Sequence, residues 1–340
     1  MKIAFLNVSY GVVERGAERF VDELSKRLKK KGIGVDIISA NEPYKARWPI
    51  IWRTYLDPFG IQVGVFTLKN LGRLWREKYD VVIPIDGGWQ PALIRIITWF
   101  YGGKMVISGQ SGKGWDDRNN LWCFPNTFVA LSTKLMNWAK GANPFLKRVE
   151  YIPNGVDTDK FRPDGGKMDF KLERPVVIAV GALDRDKRMD LVIRAMSKVP
   201  KGSLVIVGKG PLRSELERLA KGILKGRFLI TSFDFNKMPH VYRGADAFTL
   251  ASPWYRSFEM VIVEAMATNL PVVVNDDDIR KEIVGDAGNF VDPTDSKEYA
   301  SALKIALGKD WGDKPRKQAE KFNWDKIAKQ YENLFKSLIK

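Results

Sequence analysis

A single cysteine, Cys123, in a chain of 340 residues excludes an intramolecular disulfide framework and fits a reducing compartment. Histidine is as scarce. The one histidine, His240, and the lack of any Cys/His cluster leave no transition-metal site to read. Long hydrophobic runs are missing too: the longest, Ala92 to Tyr101, is broken by Arg95 and falls far short of the ~20 residues of a membrane span. The start, Met1 to Val8, lacks the apolar length and cleavage site of a signal peptide and reads as a first strand. These absences predict a soluble, cytoplasmic chain without cofactor or metal, for which peripheral contact with the inner membrane face is the furthest approach to lipid.

What is present is positive charge. A net +16 calls for anionic partners, and nucleic acid, an acidic membrane surface and a phosphorylated substrate all qualify. The cations are spread over both halves rather than gathered on one element, which argues against nucleic acid. Tryptophan is uneven: eight of the eleven precede residue 139, and Arg47 to Trp52 and Leu71 to Trp75 mix aromatic with basic residues. Two readings are open. These aromatics are core residues with solvated neighbours, or Trp48, Trp52, Arg53 and Trp75 bring the protein to anionic lipid or a lipid-linked acceptor.

The length exceeds what one hydrophobic core usually supports, so two domains are expected. Strand-like runs alternate with helical ones: Ile3 to Val8, Val35 to Ser39, Val81 to Ile85, Met105 to Ser108 and Phe128 to Leu131, then Val176 to Val180, Leu204 to Val207, Ala247 to Leu250 and Val272 to Val274. Short strands separated by helices need crossovers. The fold class is therefore α/β, two doubly wound parallel sheets. Tyr151-Ile-Pro-Asn-Gly-Val-Asp157 marks the boundary, the polar stretch Asp159 to Arg174 reads as a linker, and the apolar-periodic Ile327, Tyr331, Leu334 and Leu338 form a last helix. The domains are placed at 1–155, 156–322 and 323–340.

Ala245 to Val274 is the most informative stretch. It reads as strand, turn-rich loop (Ser252 to Ser257), helix (Phe258 to Ala267) and strand. The helix opens on backbone N–H groups without intrahelical partners, which with the helix dipole favour an anion such as a pyrophosphate. Glu264 inside it offers two acceptor oxygens for ribose hydroxyls; the bland alternative is a solvated helix glutamate. Gly208-Lys-Gly-Pro211 is not a dinucleotide fingerprint, because Arg213 stands where the third glycine would be. Gly109-Gln-Ser-Gly-Lys-Gly114 fails as a P-loop, since Ile107 occupies its first glycine position. Asp276 to Asp278 reads as a solvated loop rather than a magnesium site.

The order Ser257-Phe258-Glu259-Met260-Val261 and Glu264-Ala-Met-Ala267 resembles the nucleotide-sugar-binding core of retaining glycosyltransferases of family 4, and Pro153-Asn-Gly-Val-Asp157 is similar to their domain junction. The resemblance implies a GT-B architecture: two Rossmann-like domains facing a cleft, the first on the acceptor side, the second binding the donor, with the last helix crossing back. It implies metal-independent transfer of a sugar from a nucleotide donor. By the same resemblance Glu264 binds ribose, Lys187 the diphosphate, and Ser257 to Val261 the donor. Gly16, in Arg15-Gly-Ala-Glu18, lets backbone approach the phosphates, and Gly208 packs backbone near the nucleotide. Asp86 and Gln110, in loops after two first-half strands, are acceptor-side candidates or turn residues only.

Two departures from the family pattern matter. Ala182 stands where the family has a diphosphate-binding arginine, which leaves Arg185 or Arg188 to replace it. Arg256 stands where the family has an acid that touches the donor sugar. That arginine either reads an anionic sugar or acceptor, points to solvent, or binds the diphosphate in place of the missing cation. Glu259 is a poor substitute for the acid, because five positions from Glu264 is about 140° around a helix. No general base is evident either, which the resemblance tolerates, because it implies that the leaving diphosphate helps take the acceptor proton while the protein stabilises the developing charge. Against this stands a non-catalytic member of the same fold, a binding or assembly subunit.

Overall fold

The computed structural model describes residues 1–13, 15–48 and 53–339, and forms two compact units. One comprises Met1–Asn154 with the last helix, Trp324–Ile339; the other comprises Gly155–Asn323.

The first unit is built on six strands: β1 (Lys2–Leu6), β2 (Gly34–Ile38), β3 (Val81–Pro84), β4 (Lys104–Ser108), β5 (Thr127–Ala130) and β6 (Val149–Tyr151). All pairings are parallel, in the order β2-β1-β3-β4-β5-β6. β1, β3 and β5 are buried almost throughout, as strands covered by helices on both faces must be. The helix Gly16–Lys30 turns Phe20, Val21, Leu24 and Leu28 inward. The helix Trp324–Ile339 does the same with Ile327, Tyr331 and Leu334, and Tyr331 stacks on Phe20 at 5.6 Å between ring centroids.

The second unit repeats the plan with β7 (Val176–Val180), β8 (Ser203–Val207), β9 (Phe228–Thr231), β10 (Ala247–Leu250), β11 (Val272–Asn275) and β12 (Gly288–Val291), ordered β12-β11-β10-β7-β8-β9 and parallel throughout. Three of the twelve strands, β6, β9 and β12, had no strand assignment from sequence. Each lies at a sheet edge and is mostly half-buried, so its apolar signal is diluted.

The stretch expected to be a loose linker is packed. Phe161 is buried, the Arg243 guanidinium donates to the carbonyls of Gly166 (2.9 Å) and Arg162 (3.2 Å), and the Met168 N–H donates to His240 O. Residues 159–174 thus belong to the second unit. His240, exposed on the short helix Met238–Arg243, helps to hold them through its backbone.

Each sheet reverses its winding direction once. In the first unit the chain runs from β1 out to β2, then returns to the other side of β1 with β3; in the second it runs β7-β8-β9, then places β10 on the far side of β7. Ligands of doubly wound sheets bind at the carboxyl ends of the strands that flank such a reversal. The crevices to inspect are those beyond β1 and β3, and beyond β7 and β10.

Candidate functional site

Beyond β7 and β10 the structure brings together two segments far apart in sequence. After β7 the chain makes a short 3-10 turn, Arg185–Lys187, which forms because the Asp184 carboxylate accepts from the N–H groups of Asp186 (3.0 Å) and Lys187 (3.1 Å). This aims Lys187 at the loop after β10, where its ammonium meets both oxygens of Glu259 at 2.6 and 2.8 Å. Arg256 of the same loop pairs with Asp186, and the Tyr255 hydroxyl lies 3.5 Å from that carboxylate. Arg185 is exposed, Arg188 half-buried with φ of +46°, and Ala182 is exposed. Arg256 therefore points neither to open solvent nor away from the β7 loop; it delivers a cation to the segment in which Ala182 lacks one.

Glu259 is not helical. The helix begins at Met260 and runs to Ala267, two residues later than expected, because Ser257 and Phe258 are buried and Glu259 takes a left-handed φ of +30°. Phe258 packs on Phe322 at 5.3 Å between centroids, so only its backbone faces the crevice, whereas Met260 and Val261 are half-exposed at the first helical turn. A non-glycine residue at that φ is strained, and its side chain shows what holds it there. Besides Lys187, the carboxylate faces Arg280 at 3.8 Å and the Ser252 hydroxyl. Burial raises the Glu259 pKa, but Lys187 and Arg280 more than offset this and leave it below the ordinary glutamate value.

Arg280 is a residue that sequence reasoning missed. It is 1% exposed and donates to Ser252 Oγ (2.9 Å), Arg256 O (3.2 Å) and Pro253 O (3.4 Å), with the Asp277 carboxylate 3.5 Å away. An arginine following Asp276-Asp-Asp278 resembles a solvated helix start, and only the fold shows it buried under the β10 loop. Asp277 caps that helix by accepting from Ile279 and Arg280 N–H.

Glu264, four residues into the Met260–Ala267 helix, is 4% exposed and accepts from the Tyr242 hydroxyl at 2.9 Å. It is thus a buried, oriented carboxylate rather than a solvated one. Gly208 and Gly210, after β8, let one backbone cross another: a Cβ on Gly208 would collide with the Gly181 carbonyl, and one on Gly210 with that of Leu183. The crossing is stitched by Leu183 N to Lys209 O (2.9 Å) and Leu212 N to Leu183 O (3.0 Å).

The first-unit candidates sit at the other reversal. Gly16 opens its helix, and two residues on Glu18 is buried beside Asp86, the second residue after the β3 end. Tyr44 donates toward Glu18 Oε1 (2.9 Å), Asp86 Oδ1 (3.1 Å) and Asn7 Oδ1 (3.3 Å), while Val8 N–H and the Gln90 amide reach Asp86 Oδ2 at 2.8 and 3.3 Å. Burial pushes the Asp86 pKa up to about 6, only partly opposed by these neutral donors. Tyr44 went unnoticed in sequence because it lies in a polar, turn-rich segment. Gln110 is already engaged: it exchanges hydrogen bonds with Asn154 at 2.8 and 3.2 Å and donates to Ser108 Oγ at 2.8 Å. Its loop is pinned by Asp117, which accepts from Ser111 and Gly112 N–H. Among the described residues no group of His, Cys, Asp and Glu could hold a metal ion.

Residues 15–160 match the family model described as Glycosyltransferase Family 4, and residues 174–309 match the one described as Glycosyl transferases group 1. A sulfoquinovosyl transferase of Arabidopsis thaliana is 26% identical over 50% of this chain and 36% of its own length. A GDP-mannose-dependent phosphatidylinositol monomannoside mannosyltransferase of Mycolicibacterium smegmatis is 31% identical over 52% of this chain and 51% of its own. The chain thus spans about a third to a half of the length of these relatives. Anabaena HepE, solved with UDP and glucose, superposes with a TM-score of 0.76 over 99% of this chain and 100% of that one at 17% identity, a likeness of fold.

Proposed function

The chain belongs to the GT-B glycosyltransferases whose two halves these family models describe, and on that premise we propose that it is a retaining, metal-independent transferase moving a sugar from a nucleotide donor to a hydroxyl acceptor. The observation that carries this reading is the convergence of Lys187, Glu259 and Arg256 at the reversal of the second sheet, beside the start of the helix that contains Glu264. An ammonium has three protons. Two are directed at Glu259, which keeps the lysine charged and oriented, and the third is left for a donor phosphate. Arg256 supplies the second cation on the same loop, so the diphosphate clamp does not need an arginine at Ala182. Glu264, held by Tyr242, takes the ribose hydroxyls.

In the transfer the bond from the anomeric carbon to the diphosphate breaks and the acceptor hydroxyl bonds to the same face. The acceptor proton passes to the leaving diphosphate oxygen, and the charge that grows there is what Lys187 and Arg256 stabilise. Asp86, poised near neutrality among neutral donors, is suited to orient an acceptor hydroxyl. Relatives named for lipid acceptors, such as the phosphatidylinositol mannoside enzyme, support a lipid-linked acceptor. An anionic donor sugar is the second reading of Arg256, favoured by the sulfoquinovosyl relative.

Slow hydrolysis of nucleotide sugars tests the proposal against a non-catalytic GT-B subunit. Wild type with EDTA should release nucleoside diphosphate from one donor of a UDP-, GDP- and ADP-sugar panel, and Glu264→Ala should not. Intact donors throughout, with and without acceptor lipid, would favour the scaffold.

A further inference from the structure

Helices on the surface of a globular protein turn their polar face outward. The helix Trp89–Tyr101 of the first unit does the reverse. Its polar residues Gln90 and Thr98 are fully buried, while Trp89, Ile96, Trp99 and Phe100 face out, with Trp99 and Phe100 exposed by 75% and 70%. Arg95 is its only charge, and it is bonded to Asn126. The neighbouring helix, Pro58–Glu77, packs beside it, with Gly64 placed against the Trp89 ring. This second helix exposes Ile61, Val65, Leu68 and Trp75 at a spacing of four, three and seven, one stripe along its length. A water-facing stripe of this kind costs solubility unless something covers it.

The charge around the stripe identifies the cover. The two helices end side by side, since each leads into a strand of one parallel pair, Val81 beside Lys104. At that end lie Trp75, Trp99 and Phe100 with Lys69, Arg73, Arg76, Lys78 and Lys104. Of the three nearby acids, Glu77 and Asp80 are occupied by the side chain and backbone N–H of Lys2, and Asp36 pairs with Arg73 at 3.4 Å, which leaves Lys69, Arg76, Lys78 and Lys104 as the fringe. Exposed tryptophans with a cationic fringe fit the interface of an anionic bilayer, where rings enter the headgroup layer and lysine and arginine meet lipid phosphates. No described helix is long and apolar enough to cross a membrane.

We propose that the outer faces of Pro58–Glu77 and Trp89–Tyr101 form a docking surface for anionic membrane, laid flat on one leaflet. This goes beyond the transfer reaction and does not depend on it. Co-sedimentation with phosphatidylcholine vesicles, with and without phosphatidylglycerol, tests it. Wild type should sediment with the anionic vesicles only, and less as salt rises. Trp99→Glu with Phe100→Glu should lower partitioning by about a hundredfold, and Arg76→Glu by about tenfold. Leu68→Glu, on the other helix, gives the same readout if the first variant misfolds. Wild type remaining in the supernatant at low salt, or variants sedimenting like wild type, would overturn the proposal. So would self-association that Phe100→Glu abolishes while vesicle binding persists, which would make the face a contact between copies.

Discussion

The two sheets are wound alike and reverse direction at equivalent places, yet the crevices at those reversals carry opposite chemistry. Beyond β7 and β10, the buried Glu259 carboxylate is matched by Lys187 and Arg280, and its pKa is depressed. Beyond β1 and β3, Asp86 is met by a phenol, an amide and a backbone N–H, all neutral, and its pKa is raised to about 6. The winding thus specifies where a site can form, and the charges at the strand ends decide what it can hold. A crevice that gathers three oriented cations, Lys187, Arg256 and Arg280, suits a diphosphate, whereas carboxyls among neutral donors suit hydroxyl groups.

Removing the cation should erase the difference and produce the largest effect. Lys187→Ala is expected to lower the turnover number of the transfer reaction by roughly 10²- to 10³-fold, the scale for one donor to a developing oxyanion. The Michaelis constant for the donor should change less, because charge on the leaving group grows toward the transition state. Single-turnover kinetics at saturating donor checks this, and an unchanged rate would move the diphosphate elsewhere.

A titration sharpens the comparison with a smaller effect. Asp86 ionises near pH 6 in the folded chain against an ordinary 3.8, and burial also raises Asp117, to about 7. For an acid with a raised folded pKa, the stabilising contribution is complete below the ordinary value and is lost as pH rises through the folded one. Glu259 behaves oppositely: its contribution is present above the ordinary 4.5 and is lost as pH falls through its depressed value. Asp86 should therefore weaken the first unit by on the order of 3 kcal/mol in all between its ordinary and folded pKa values, of which about 1 kcal/mol remains to be lost from about pH 5 to about pH 7, where the second unit holds steady. Tryptophan fluorescence reports mainly on the first unit, which holds most of these residues. Asp86→Asn should flatten the part of the slope that ends near pH 6; an identical slope in the variant would remove Asp86 from the cause.

The fold was largely legible because interior strands such as Val176–Val180, and the Val272 to Val274 part of β11, are unbroken apolar runs between helices. Edge strands such as Val149–Tyr151 were not, since a short, half-solvated strand leaves no periodic signal. In the candidate site, Lys187 and Glu264 could be located from sequence, but the pairing of Lys187 with Glu259 could not. That pairing depends on Glu259 leaving the helical conformation, and on Arg280 and Ser252 compensating it from residues before and after in the chain. The aromatic excess posed a similar difficulty. Trp48, Trp75, Trp89, Trp99, Trp115 and Trp122 are exposed rather than core residues, while Trp52 lies outside the described residues and the side chain of Arg53 is likewise not described.

The central claim is that the second crevice, not the first, holds the nucleoside diphosphate. Calorimetric titration of UDP, GDP and ADP into wild type, Glu264→Ala and Asp86→Asn tests it most directly. One nucleotide should bind wild type and Asp86→Asn equally, and Glu264→Ala at least about tenfold more weakly, as expected for lost hydrogen bonds to a charged carboxylate. Equal affinity in Glu264→Ala, a loss confined to Asp86→Asn, or no binding of any of the three to wild type would contradict it.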